Sequence, residues 1–238
     1  VRQLEGLAEE RGLLWGTAPS APITVLENGH PFLVDLLEGH KTGFYIDQRD
    51  NRALLGQPRF VAEREVLNVF AYTGGFAVYA AAGGAKQITN VDSSFPALEL
   101  AEKNVIQAAG ERPQDEYLAG DAFEILRHYR DSGREFDLII LDPPKFAHSQ
   151  QDVKRASRGY KDINWLGLRL LRRGGLLATF SCSGLIDVSL FQKILFGAAV
   201  DAGREVQILH HLWQAADHPI SLTFPESAYL KGFLCRVW

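Results

Sequence analysis

The chain of 238 residues contains no methionine and only two cysteines, Cys182 and Cys235. Two thiols cannot build a disulfide framework, so a reducing, cytoplasmic setting is expected. No apolar run reaches the roughly 18 residues of a membrane-crossing helix, and neither a membrane contact nor a secretory leader is expected. Basic residues do not dominate: 25 Lys and Arg against 29 Asp and Glu leave a net charge of −4. That balance weighs against a surface coated for nonspecific nucleic-acid binding, though it permits a local basic patch. His210, His211 and His218 show no metal-ligand spacing, so no metal is expected. No G-x-G-x-x-G occurs, which weighs against a dinucleotide site and hydride chemistry. Internal repeats and low-complexity segments are also missing. Because the chain starts at Val1 and lacks methionine, it is expected to be part of a longer protein.

What is present reads as one large globular unit with a small appendage. The chain is 46% hydrophobic and 23% charged, enough apolar material for a full core. Residues 3–14 carry Leu4, Leu7 and Leu13 at helical spacing. Two apolar runs, 23–26 and 32–36, flank Glu27-Asn28-Gly29-His30. Asn-Gly between apolar runs predicts a hairpin. A third strand is predicted at 43–46 and a helix from Arg49 to Leu55. From residue 65 onward strands alternate with helices. Strands are predicted at 66–70, 87–91, 115–119, 136–141, 175–180, 205–212 and 232–237, and helices at 75–82, 95–108, 122–129, 163–171 and 188–202. The alternation implies an α/β fold with a parallel sheet covered on both faces. Residues 1–57 are taken as a helix and small β-subdomain, and 58–238 as the main domain. Ligands of such sheets bind outside the carboxyl ends of the strands.

Three successive strand ends carry a pattern suited to a nucleoside. The first runs through Asn68 and Phe70 into Tyr72-Thr73-Gly74-Gly75, where paired glycines let backbone approach a ligand. The second ends at Asp92-Ser93, about 20 residues beyond the first strand's turn, where an acid can accept ribose hydroxyls. The third leads into Gly120-Asp121-Ala122, where a carboxylate could meet an adenine amino group. Gly74-Gly75 could equally be only a tight turn, and Asp92 and Asp121 only helix caps. Taken together, one nucleoside without a phosphate cradle points to S-adenosylmethionine.

The next two strand ends carry the chemistry. One ends in Asp142-Pro143-Pro144-Lys145-Phe146 and the other in Ser181-Cys182-Ser183. If these strands are parallel neighbours, a thiol and a carboxylate share one crevice. A thiolate adding to C6 of a pyrimidine makes C5 electron-rich enough to accept a methyl group. Asp142 could then serve the ring, and the Pro143-Pro144 carbonyls could hold an exocyclic amine. A free cysteine can also be a small core residue, the reading given to Cys235. Amine methyltransferases place an aromatic directly after a similar Asp-Pro-Pro. Here Lys145 intervenes and Phe146 is displaced by one, which argues against that chemistry. Lys154, Arg155, Arg158 and Lys161, with Tyr160 among them, are candidates for holding phosphates and stacking a base.

The segments 70–76, 142–146 and 179–183, together with Lys41-Thr42-Gly43-Phe44-Tyr45-Ile46-Asp47-Gln48-Arg49, residues 158–164 and residues 224–232, resemble the bacterial large-subunit ribosomal RNA 5-methylcytosine methyltransferases. The resemblance implies a Rossmann-like seven-stranded sheet with its last strand reversed, a further RNA-binding domain upstream, and ribosomal RNA as partner. A homodimer is compatible with it. It also implies that Asp47 and Gln48 face the methionine part of the cofactor. By similarity to the 5-methyluridine methyltransferases, Glu226 is the candidate base. A sister family that methylates guanine N7 carries Asn at the position of Cys182 and Thr at that of Lys145. Two alternatives stay open: an RNA methyltransferase without covalent catalysis, and an RNA assembly factor that binds the cofactor without activity.

Overall fold

The computed structural model of the protein describes residues 6, 13, 15–19, 22–147 and 149–238. The helix expected at 3–14 falls almost wholly outside them. The predicted hairpin forms: Ile23–Glu27 (β1) pairs antiparallel with His30–Val34 (β2). Asn28 and Gly29 turn it with φ of 50° and 84°, the left-handed pair that matches the twist of two strands. Its inner residues Phe32 and Val34 are buried in the same apolar cluster as Leu55, Phe76 and Tyr79, so the hairpin shares the core of the main sheet. Arg52 locks it there. The guanidinium is buried and bidentate on Glu27, at 2.8 and 2.6 Å. Tyr79 adds a hydroxyl to the same carboxylate at 3.1 Å.

The third strand expected at 43–46 does not form. Lys41 and Gly43 take positive φ, and Gly43 lies against the Asp35 carbonyl where a Cβ would sit 2.3 Å away. The Tyr45 carbonyl accepts from Arg52 rather than from a strand. The chain instead enters a 3-10 turn, Ile46–Gln48, that buries Asp47 and Gln48. Helix Arg49–Leu55 (α1) follows as predicted, then a short helix not read from the sequence, Pro58–Val61 (α2), with Pro58 at its first turn.

The main sheet consists of Glu65–Val69 (β3), Gln87–Asp92 (β4), Glu116–Ala119 (β5), Phe136–Leu141 (β6), Leu171–Ser181 (β7), Val206–Trp213 (β8) and Lys231–Val237 (β9). The order is β5-β4-β3-β6-β7-β9-β8, with β9 antiparallel to both neighbours and the first five strands parallel. Successive residues of the central strands enter opposite cores. Leu67, Val69, Ile139, Leu141 and Leu177 join one apolar cluster; Val66, Leu138, Ile140, Leu176 and Ala178 join the other. That two-sided burial is why these strands read as unbroken apolar runs. Cys235 lies fully buried on β9, opposite Leu177, as expected.

The connecting helices are Gly75–Ala82 (α3), Phe95–Ala109 (α4), Ala122–Ser132 (α5), Val153–Leu170 (α6) and Val188–Ala202 (α7). Helix α6 begins ten residues before its predicted start at 163. Its charges and Gly159 disguise a helical stripe in which Ala156, Tyr160, Ile163, Asn164 and Gly167 are buried. Gly159 is needed because the Phe146 ring packs where its Cβ would project, 3.3 Å away. Strand β7 starts at Leu171 rather than 175, with Gly174 at φ 82° where the pairing with β6 shifts register.

Candidate active site at the carboxyl ends of the sheet

The connection order reverses between β3 and β6, which opens a crevice above their carboxyl ends. On one side lies the turn after β3. Phe70 and Tyr72 both adopt left-handed φ, 62° and 47°, a strained conformation for large side chains. Gly74, at φ 79°, starts α3 and passes so close to α4 that a Cβ would lie 2.9 Å from that of Ala101. Asp92 holds the turn: one oxygen accepts the Tyr72 backbone N–H at 2.8 Å, the other that of Ser94 at 2.9 Å. The helix cap that Asp92 was considered for belongs to Ser94. Ser93 is exposed beside it, and Thr73 is buried with its carbonyl accepting from Asn104. At β5, Asp121 does cap α5, accepting the Glu124 N–H at 3.0 Å, with Ala122 buried behind it. Its second oxygen faces outward with the exposed side chain. Asn68 is corrected: it is buried mid-sheet and donates to Asn90 at 3.0 Å, so it presents nothing to the crevice.

The other wall comes from the 3-10 turn before α1. Asp47 accepts the Tyr229 hydroxyl at 2.7 Å, and that hydroxyl also meets His218 Nε2 at 3.1 Å. The second Asp47 oxygen and the Gln48 amide nitrogen are buried without hydrogen-bond partners. Two such orphans side by side are costly unless a ligand engages them. Tyr72 ties this wall to the glycine turn, its hydroxyl accepting from the His40 backbone N–H at 2.9 Å.

Asp142 and Cys182 follow β6 and β7, which are parallel neighbours through Leu141 and Thr179. The Cys182 thiol points at the Pro143 carbonyl, 3.9 Å away. Burial pushes the Asp142 carboxyl up to about 7, Asp47 adds to the rise, and the Gln48 amide opposes it. Burial likewise raises the Cys182 thiol to about 11, aided by Asp142 and opposed by Lys41. At neutral pH the thiol is therefore protonated and the carboxyl sits near its midpoint.

Several side chains chosen from sequence lie elsewhere. Tyr160 is fully buried; its ring packs on Phe146 and Phe191, and its hydroxyl meets Ser183 Oγ at 3.0 Å. It cannot stack a base, because α6 turns it inward beneath the Cys182 loop. Phe146 is half-buried between Phe123 and Tyr160. Lys161 pairs at 2.7 Å with Asp201 in the last turn of α7, about 20 Å from that helix's start near Cys182. Lys145, Lys154 and Arg158 are exposed, and Arg155 pairs with Asp152. Glu226 is exposed on the 3-10 turn Pro225–Ser227; among the described residues no hydrogen bond or ion pair joins it to Asp142 or Cys182. The described residues contain no cluster suited to a metal, and no helix of the described residues is long and apolar enough to cross a membrane.

Sequence reasoning missed Tyr229, Ser183 and Lys231, which brace the site from behind. All three stood in segments that carry the family resemblance. Nothing in their local pattern reveals partners 23 to 182 residues distant.

Residues 13–234 match the S-adenosylmethionine-dependent methyltransferase family. The chain is 50% identical over 238 residues to the ribosomal RNA large subunit methyltransferase I of Pseudoalteromonas translucida, covering all of this chain and 60% of that protein. It is 52% identical over 237 residues to the protein of the same name from Shewanella denitrificans, covering 59% of it. The chain thus spans about three fifths of the length of these relatives. Among solved structures, SMU.776 complexed with SAH superposes with a TM-score of 0.83 at 28% identity, covering 94% of this chain and 58% of that one. The chain belongs to the S-adenosylmethionine-dependent methyltransferases, and S-adenosylmethionine is its cofactor.

Proposed function

We propose that this chain is the catalytic part of an enzyme that methylates C5 of a cytosine in large-subunit ribosomal RNA through a covalent bond between Cys182 and C6. The carrying observation is the shared crevice: the Cys182 thiol faces the Asp142-Pro143 backbone from the next strand end. The names of the relatives support ribosomal RNA as substrate. Residues 58–238 would be the methyltransferase domain proper, with the hairpin and 3-10 turn of residues 22–57 packed into its core.

The residues present fit the cofactor. Asp47 and Gln48 offer their unpartnered oxygen and nitrogen to its amino acid part. The turn from Phe70 to Gly75 would back it, Asp92 and Ser93 would hold the ribose, and Asp121 and Ala122 the adenine. Bound there, the cofactor supplies an electrophilic methyl group.

Asp142, half protonated near pH 7, donates to N3 of the cytosine and draws electrons from C6. The Cys182 thiol gives up its proton to solvent and its sulfur forms a bond to C6; the displaced electron pair gathers at C5, which takes the methyl group as the methyl–sulfonium bond breaks and leaves its electron pair on the donor's sulfur. A base then removes the C5 proton, the C6–S bond breaks, and the thiolate leaves. Glu226 is the proposed base and must be brought over the crevice when RNA binds. The exposed Lys145 and Arg158 hold phosphates, and the Pro143 carbonyl is placed for the exocyclic amine.

The high thiol pKa is the one feature that suits a reading without covalent catalysis. The two separate cleanly. Incubating the whole protein with large-subunit RNA and methyl-labelled cofactor, then digesting to nucleosides, should give label in 5-methylcytidine. Label confined to guanine or adenine defeats the proposal.

A further inference from the structure

Lys231 opens β9 directly opposite Ser181, the residue before Cys182. Its side chain is 4% exposed. The ammonium does not sit on a carboxylate. It donates to two backbone carbonyls, Ser183 and Ile186, each at 2.7 Å. These carbonyls belong to the turn that carries the chain from Cys182 into α7, and the Ser183 carbonyl also accepts the Ile186 N–H at 3.0 Å. Ser183 in turn ties α6 to the loop after Asp142. Its hydroxyl meets Tyr160 and accepts the Ala147 N–H of the loop after Asp142. Burying a cation without a paired anion is costly. A fold that needed only a turn clamp could use a neutral donor.

Resting on the reading of Cys182 as nucleophile, we propose that Lys231 is a positioning residue that fixes the Cys182 turn and, in addition to Lys41, brings positive charge to its thiolate. Lys231 is itself sensitive to its surroundings. Burial draws it down to about 8, while Cys182 and Asp187 hold it up and Lys145 opposes them. Cys182 faces Asp142 and Asp47, which disfavour the thiolate, and Lys41, which favours it. The assistance is therefore present while Lys231 is charged and fades as pH rises through about 8.

The test follows thiol chemistry without RNA. Wild-type whole protein, Lys231→Met and Lys231→Arg are alkylated with iodoacetamide from pH 6.5 to 9.5, and modification of Cys182 is followed by peptide mass spectrometry. At pH 7.5 the Met variant should react about tenfold more slowly than wild type, one unit of thiol pKa. The Arg variant stays charged throughout, so its rate should exceed that of the Met variant and keep rising above pH 8, where wild type flattens. Equal rates in the Met and Arg variants overturn the proposal, as does a Met profile matching wild type with only a lower melting temperature. If the Met variant does not fold, wild type against Arg above pH 8 decides alone, and parallel profiles there overturn it. Methyl transfer plays no part in this readout, so its failure and that of the covalent reading are told apart.

Discussion

The two halves of the crevice handle their polar groups in opposite ways. Around β3, β4 and β5, Asp92, Asp121 and Ser94 each accept a backbone N–H, and Asn68 is paired with Asn90. Around β6, β7 and β9, the ionisable groups are displaced from their ordinary ranges instead: Asp142 and Cys182 upward, Lys231 downward, with Tyr229 also raised by burial and by Asp47. The first half is a set of strand-end turns held in shape by backbone hydrogen bonds and caps. The second stores unfavourable protonation states, the usual mark of a reacting centre. The crevice thus joins satisfied strand-end groups to the buried, unpartnered Asp47 oxygen and Gln48 nitrogen on one side and to the displaced Asp142 and Cys182 on the other.

That contrast can be broken at its extremes. Cys182→Ala should reduce methyl transfer by about 10⁴-fold or more, while calorimetry shows cofactor affinity within about twofold of wild type; normal turnover would exclude covalent catalysis. Arg52→Met strips the partner from buried Glu27 and should cost about 3–5 kcal/mol in denaturant unfolding, tying both walls to one buried pair. Asp142→Asn should lower the rate by about 10²-fold or more, yet raise the unfolding midpoint at pH 8. The folded carboxyl at about 7 binds its proton more tightly than the unfolded one at 3.8, so wild-type stability is full below about pH 4 and falls as pH rises through 7. The Asn gain should therefore vanish by pH 4; an equal gain at both pH values sinks the assignment. Asp92→Asn loses the charge and one of the two acceptors that hold the Tyr72 and Ser94 N–H groups, and should weaken cofactor binding about tenfold by calorimetry. Glu226→Gln gives the sharpest view of the step after methylation: protein–RNA adduct should accumulate on denaturing gels, and unchanged turnover would remove Glu226 as the base.

Much of this architecture was legible because its signals are local. The runs at 66–70 and 136–141 announce strands buried on both sides, and Asn28-Gly29 announces the hairpin. α1, α3 and α7 carry the predicted bounds. The errors share a cause, which is tertiary partners that no window reveals. Tyr160 stands among basic residues and reads as surface, yet Phe191 and Ser183 draw it inside. Residues 43–46 read as a strand until Arg52 takes the Tyr45 carbonyl. The strand-end acids were found because each follows a predicted strand. The braces Tyr229 and Lys231 were not, because their meaning depends on β9 folding back beside β7.

The pairing of Asn68 with Asn90 has a consequence of another kind, for folding. Asn68 and Asn90 are exact register partners on β3 and β4, two parallel strands whose interior also holds the apolar Val66, Leu67, Ile88 and Val91. A slip of two residues would keep every side chain on its correct face, so hydrophobic patterning alone cannot forbid it. In one direction it would set Asn68 opposite Ile88, and in the other Asn90 opposite Val66, at about 1–3 kcal/mol for each amide left unsatisfied. The pair therefore acts as an alignment key at the centre of the sheet, and it sets where the turn after β3 and the acid after β4 come to rest against each other.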